Sequence, residues 1–377
     1  MAKPKKKHVR ADFRKNRSAR ARQGDWTRKF KTESGEGEDA AYQERVSGKG
    51  ELSRKRTVRG VTAGDDGLGV ALDVDEAACL RGRVLAVHGL ISTVEADDGA
   101  HYQCAVRRLL KTLHTDLRHV VAAGDRVLFR PADNSEGIIE RVEPRHGVLS
   151  RDSRGRQQVL VANVDQLLVV ASAAEPPLKP NLVDRFLVAA EQGRMRAIIC
   201  INKIDLIDAA DVQPLVGAYS QMGYPVILVS AKTGFGIERL RRRLQGKQSV
   251  IAGQSGVGKS SLLNAVQPGL GLAVGEVVAE TKKGRHTTTT ARLIPLAMGG
   301  YVVDTPGIRQ FLLWDVIPQE VAGYFRDLRP LVSRCEFPDC THTHEAGCAV
   351  KDAVADGWLD ARRYESYQRM ASGEGYS

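Results

Sequence analysis

Two hydrophobic rhythms run along the chain. Between residues 80 and 145, apolar residues come in short bursts separated by Gly and Asp turns: LRGRVLAVHG (80–89), ISTVEADDGAHYQCAVR (91–107), GDRVLFRPA (124–132) and EGIIERVEPR (136–145). Short β runs at this spacing predict a small barrel over residues 78–150. An OB-type barrel is the economical arrangement, and a generic β-sandwich is the other that periodicity allows. From about residue 158 the rhythm lengthens. VDQLLVVASA (164–173), MRAIICINK (195–203), YPVILVSAK (224–232), QSVIAG (248–253) and GGYVVDT (299–305) are apolar strands, with helical spacing between them as in NLVDRFLVAAEQG (181–193). That alternation predicts a parallel α/β sheet over residues 155–325. A Cys/His-rich segment and a predicted helix, DARRYESYQRM (360–370), then form a small, mostly helical C-terminal domain over 326–377. Residues 1–70 are rich in Lys, Arg, Gly and Ser, lack a sustained apolar period, and are predicted to be a disordered arm.

Charge sharpens this picture. The net charge is +11 over 377 residues. Residues 1–60 hold 19 Lys/Arg and 8 Asp/Glu, and the remainder holds 37 of each, so the whole excess sits in the arm. Thirteen basic residues fall in the first 31, with Phe13, Trp26 and Phe30 among them. Cations interleaved with aromatic rings predict contact with RNA, against a solvated tail as the plainer alternative. The start, MAKPKKKHVR, has no apolar run behind its basic residues, which argues against a secretory signal. No stretch approaches membrane-spanning length. A cytoplasmic protein with reduced thiols is the expectation. Cys79, Cys104 and Cys200 lie in apolar runs and read as core residues.

The remaining motifs carry chemistry. GQSGVGKS, from Gly253 to Ser260, matches the phosphate-loop pattern, follows an apolar strand and precedes the helix starter SSLLNAV. Gly253, Gly256 and Gly258 let backbone N–H groups, with those of Gln254, Ser255, Val257 and Ser261, turn toward phosphate oxygens. Lys259 brings a positive charge to the β- and γ-phosphates, the Ser260 hydroxyl suits Mg²⁺, and the helix N-terminus adds its dipole. Asn202-Lys203-Ile204-Asp205 ends another strand. The Asp205 carboxylate can accept from both guanine N1–H and the exocyclic amine, whereas adenine would leave it unpaired. The Lys203 stem can lie along the base plane, and Asn202 can tie the loop to its neighbours. Ser230-Ala231-Lys232 ends the next strand, where the Ala231 N–H can meet the guanine carbonyl. Asp304-Thr305-Pro306-Gly307 offers Asp304 to Mg²⁺ through water and the Gly307 N–H to the γ-phosphate. In the polar segment TKKGRHTTTTAR (281–292), Thr288 is the favoured Mg²⁺ ligand among four consecutive threonines. The position after Gly307, where many GTPases carry a water-orienting Gln, is Ile308, and Gln310 lies too far along to replace it. His286 is the substitute candidate, so His286 and Lys259 are the candidate catalytic residues. Near the C-terminus, C-x4-C-x-H-x5-C places Cys335, Cys340, His342 and Cys348 at a spacing suited to a tetrahedral structural zinc, with His344 as a rival imidazole.

The loops run in the order NKxD, SAK, phosphate loop, threonine run, DxxG. This order resembles the circularly permuted GTPases. Within them, GQSGVGKSSLLN, GRHTTT, DTPGIRQF and CEFPDCTHTHEAGCAV resemble the RsgA family, also called YjeQ, over roughly residues 78–370. The resemblance implies His342 rather than His344 as zinc ligand, with one Zn²⁺ per chain and Mg²⁺ accompanying GTP. It also implies a ribosome-associated GTPase that binds the small subunit and its rRNA late in assembly. Such an enzyme would act as a monomer alongside other assembly factors, hydrolysing GTP slowly until the subunit stimulates it. Two other readings stand beside it: an RNA-binding assembly chaperone with GTP as a static ligand, and a regulatory GTPase acting on a protein partner. The reversed motif order is physically permissible, because all these loops sit at the carboxyl edge of one sheet whichever strand comes first.

Overall fold

The computed structural model describes residues 7–12, 55–62, 70–72, 74–108, 110, 120–152, 157–272, 291–304 and 317–373. It divides into two compact units, Met1–Arg145 and His146–Ser377.

The first unit holds strands in the segment expected to be disordered. β1 (Lys7–Asp12), β2 (Lys55–Thr62) and β3 (Val70–Leu72) pair antiparallel in that order. The expectation of disorder rests on composition averaged over seventy residues. The local run TVRGVT within β2 is rich in β-branched residues that favour extended backbone, and this averaging hid it. The rest of that segment lies outside the described residues.

The barrel follows. β4 (Leu80–His88), β5 (Ile91–Ala96), β6 (His101–Val106), β7 (Arg126–Ala132) and β8 (Glu136–Val142) run in the order β4-β5-β6-β8-β7, and β7 pairs back to β4. β6 and β8 are parallel and the other pairs antiparallel, which is the OB-type closure. Val84, Val94, Cys104, Phe129 and Ile139 fill the interior at 0% exposure. Arg145 grips the buried Asp125 with two hydrogen bonds of 2.7 Å, and Asp125 also accepts from the Ala122 N–H at 2.8 Å.

The second unit begins with the hairpin β9 (Leu149–Asp152) and β10 (Gln157–Val161). Its main sheet then alternates strands and helices: β11 (Gln166–Ser172), α1 (Pro180–Gln192), β12 (Arg196–Asn202), α2 (Gln213–Gln221), β13 (Val226–Leu228), α3 (Ile237–Leu244), β14 (Gln248–Ala252) and α4 (Lys259–Val266). β15 (Arg292–Pro295) and β16 (Tyr301–Asp304) complete it. The spatial order is β13-β12-β11-β14-β16-β15, with the first five strands parallel and β15 antiparallel to β16. Every residue of β11 is buried, as its unbroken apolar run requires of a central strand covered on both faces.

Helices α5 (Val321–Tyr324), α6 (Arg329–Val332), α7 (Ala349–Ala355) and α8 (Ala361–Ala371) end this unit. Phe325, Leu328, Val350 and Tyr367 pack with Val188 of α1 in one apolar cluster. Arg363 on α8 donates two 3.0 Å hydrogen bonds to Asp327 and a further one to Asp184 of α1, which also accepts from Tyr219 at 2.8 Å. No helix among the described residues is long and apolar enough to cross a membrane.

Candidate functional site

Because β11, β12, β13, β14 and β16 are parallel, the segments that follow them emerge at one edge of the sheet. That edge collects Asn202, the Ser230–Lys232 segment, the Gly253–Ser260 loop and Asp304. Conformation dictates glycine at two points of the loop. Gly253 has φ +153°, and a Cβ there would lie 2.1 Å from the Val170 carbonyl oxygen. Gly258, the N-cap of α4, has φ +90°, and a Cβ would lie 2.5 Å from Asn202 Nδ2. The loop therefore closes directly onto Asn202.

Asn202 is the hub. Its buried side chain donates from Nδ2 to the Val257 carbonyl at 2.8 Å and accepts at Oδ1 from the Ala231 N–H at 3.2 Å. One amide thus joins the phosphate loop to the Ser230–Lys232 loop. The Ala231 N–H, expected to meet a guanine carbonyl, bonds to Asn202 in this structure. Ser230 donates to Asp205 Oδ1 at 2.6 Å and accepts from the Thr233 N–H at 3.1 Å. That hydrogen bond from Ser230, aided by the charges of Lys232 and Lys203, holds the exposed Asp205 carboxyl below its ordinary range. Lys203 sits in the left-handed region at φ +63° and donates to the Glu175 carbonyl. Lys259 folds over its own loop and donates to the carbonyls of Gly253 at 2.9 Å and Gln254 at 2.7 Å, which keeps a cation at the mouth of the loop. Ser260 and Ser261 lie in the first turn of α4. The backbone of Asp304 ends β16. Gly307, Thr288 and His286 lie outside the described residues.

A second cluster sits in the segment between α6 and α7, with Cys348 at the N-cap of α7. The ligand atoms of Cys335, Cys340, His342 and Cys348 all lie within 4.8 Å of one another. Cys335 Sγ is 4.0 Å from Cys348 Sγ, and His342 Nδ1 is 3.4 Å from the first and 3.5 Å from the second. Zinc with sulfur at about 2.3 Å and nitrogen at about 2.0–2.1 Å has tetrahedral edges of roughly 3.5–3.8 Å, so the donor set fits such an ion. Tyr364 donates to the His342 carbonyl at 2.7 Å and Tyr367 to the Thr341 carbonyl at 2.6 Å, fastening the ligand loop to α8. His344 is set apart from the four and is 81% exposed. Among the scattered cysteines, Cys104 and Cys200 are buried, and burial pushes both thiols up to about 12; Cys79 is only half-buried, because it caps the exposed turn Glu76–Ala78 just before β4.

The sequence model of the RsgA GTPase family matches residues 142–314. A curated relative from Thermotoga petrophila, named small ribosomal subunit biogenesis GTPase RsgA, is 41% identical over 294 residues, which is 77% of this chain and 95% of the relative. The chain belongs to the RsgA GTPase family. Another curated member, from Shewanella oneidensis and of the same name, is 40% identical over 299 residues, 77% of this chain and 82% of its own. Among solved structures, YjeQ from Thermotoga maritima superposes with a TM-score of 0.66 at 39% identity, covering 78% of this chain and 98% of YjeQ. YloQ, described as a circularly permuted GTPase, gives 0.63 at 31% identity, covering 80% of this chain and 96% of YloQ. The loop order is thus that of an RsgA-type permuted GTPase. Sequence reasoning missed Ser172 and Glu175. Ser172 ends β11 and Glu175 lies in the segment after it, and no motif flags a strand-end hydroxyl or a residue that acts through its carbonyl.

Proposed function

We propose that this chain is a GTP hydrolase of small ribosomal subunit biogenesis, binding the subunit in its GTP form and leaving after hydrolysis. The observation that carries the reading is Asn202, one buried side chain bonded to both the phosphate loop and the Ser230–Lys232 loop. In this reading Asp205, held ionised by Ser230, pairs with the guanine N1–H and amine. Lys203 covers the base, and the Gly253–Ser261 backbone with Lys259 holds the phosphates. Lys259 exchanges loop carbonyls for phosphate oxygens. Ser260, with Thr288 and Asp304, would hold Mg²⁺, which shields phosphate charge when bound. His286 would orient the water that Ile308 cannot, and Gly307 would sense the γ-phosphate. Hydrolysis is slow until the subunit orders these segments. The Cys335, Cys340, His342 and Cys348 set holds one structural Zn²⁺, and arm, barrel and zinc module meet rRNA in the cytoplasm. The names of the curated relatives support the small subunit as partner.

Sedimentation with purified small subunits tests this: the chain should co-migrate with a non-hydrolysable GTP analogue and separate with GDP. Single-turnover hydrolysis with and without subunits supplies the kinetic half. Equal rates would favour a chaperone holding GTP as a static ligand, and salt-insensitive binding to a protein alone would favour a regulatory GTPase.

A further inference from the structure

We propose that Ser172 is a positioning residue for guanine recognition, acting through the Glu175 carbonyl to hold Lys203 in place. The proposal rests on the reading of Lys203 as the side chain that covers the base. Ser172 is the last residue of β11 and is 1% exposed. Its hydroxyl donates to the Glu175 carbonyl at 2.9 Å, and the Lys203 ammonium donates to the same oxygen. A carbonyl oxygen has two lone pairs, so these two donors use its capacity and fix its direction. The intervening segment is anchored from the other side as well. The Ala173 N–H donates to the Asn202 carbonyl at 2.8 Å, which continues the β11–β12 ladder to the residue before Lys203. A Cβ on Gly256 would lie 3.6 Å from Pro176 Cδ, so the same segment also borders the phosphate loop.

The consequence is preorganisation. Lysine is among the side chains that lose most rotamer freedom on being ordered. Here its backbone is set in a left-handed turn and its ammonium is tethered, so much of that loss precedes nucleotide binding. Asp205 selects the base; the Ser172–Glu175–Lys203 chain keeps the covering stem ready for it. The Ser172 hydroxyl bonds to the carbonyl that holds Lys203, so its effect on binding passes through Lys203 and is absent for a ligand without a base.

Equilibrium binding to the full chain separates these roles, using GDP, ADP and inorganic pyrophosphate, the last a phosphate-loop ligand with no base. Ser172→Ala should weaken GDP by roughly five- to tenfold, the scale of one lost hydrogen bond to a charged network, and leave pyrophosphate unchanged. In a Lys203→Ala background the same substitution should change GDP affinity by less than about twofold. Equal weakening of both ligands, no weakening of GDP, or a full additive loss in the Lys203→Ala background overturns the proposal. Should Ser172→Ala not fold, Ser172→Thr and Ser172→Val, equal in bulk, make the comparison. Threonine should bind GDP like the native chain and valine should lose affinity, and identical affinities overturn the proposal. A native chain that binds ADP as tightly as GDP overturns the guanine reading and this proposal with it, whereas the other outcomes strike the tether alone.

Discussion

Ser230 shows how much one hydroxyl can set at this site. It is fully buried, it braces the Thr233 N–H, and it donates to Asp205 at 2.6 Å. The donor favours the ionised carboxylate, so the Asp205 value is depressed in the folded chain. The sign follows. This contribution is fully present above the ordinary aspartate range near 3.9 and is lost as pH falls through the depressed value. Ser230→Ala should therefore move the Asp205 carboxyl titration upward toward the ordinary range, as read by carbon NMR of the labelled side chain. An unchanged titration would assign the depression to Lys232 and Lys203 instead. Asp205→Asn should reduce GDP affinity on the order of a thousandfold, because an amide cannot accept both guanine donors; calorimetry reads this directly.

At the scale of elements, the phosphate loop and the Asn202 turn are one construction. Gly258 has a left-handed backbone and faces Asn202 Nδ2 at a distance that no Cβ tolerates. Gly258→Ala should destabilise the chain by about 1–3 kcal/mol and abolish measurable GDP binding, seen as a lowered unfolding midpoint that GDP no longer raises. Most of this architecture was legible in the sequence, because periodicity marks strands and the loop motifs have fixed spacing. GQSGVGKS, NKID and the Cys/His spacing each announce their chemistry locally. The contacts that were not legible span long separations between residues of common type. Lys203 with Glu175, and Arg363 with Asp184, have no pattern of their own and exist only once the sheet and α8 are assembled. The parallel β6–β8 pair that closes the barrel is hidden for the same reason, since it joins strands with another strand between them in sequence.

Across the whole second unit, α1 is shared property. It packs its buried face against β11 and β12 and also against the helices of the metal cluster, and Arg363 crosses between them. Arg363→Met would leave Asp184 and Asp327 without their cation, at a cost of about 3–5 kcal/mol, readable as a shift of the denaturant midpoint. The native protein should contain one zinc per chain by elemental mass spectrometry. Chelation should raise hydrogen exchange in α7 and α8, since the ligand loop is fastened to α8 by the Tyr364 and Tyr367 hydroxyls. The strand order has a consequence for synthesis. β14 stands between β11 and β16, yet it follows β11, β12 and β13 in the chain. A nascent polypeptide thus completes the strands that carry Asn202 and the Ser230–Lys232 loop while the flank of β11 that β14 will cover is still bare. Until the later strands emerge, that flank is an open template for stray pairing, and no GTP can be held to guard it.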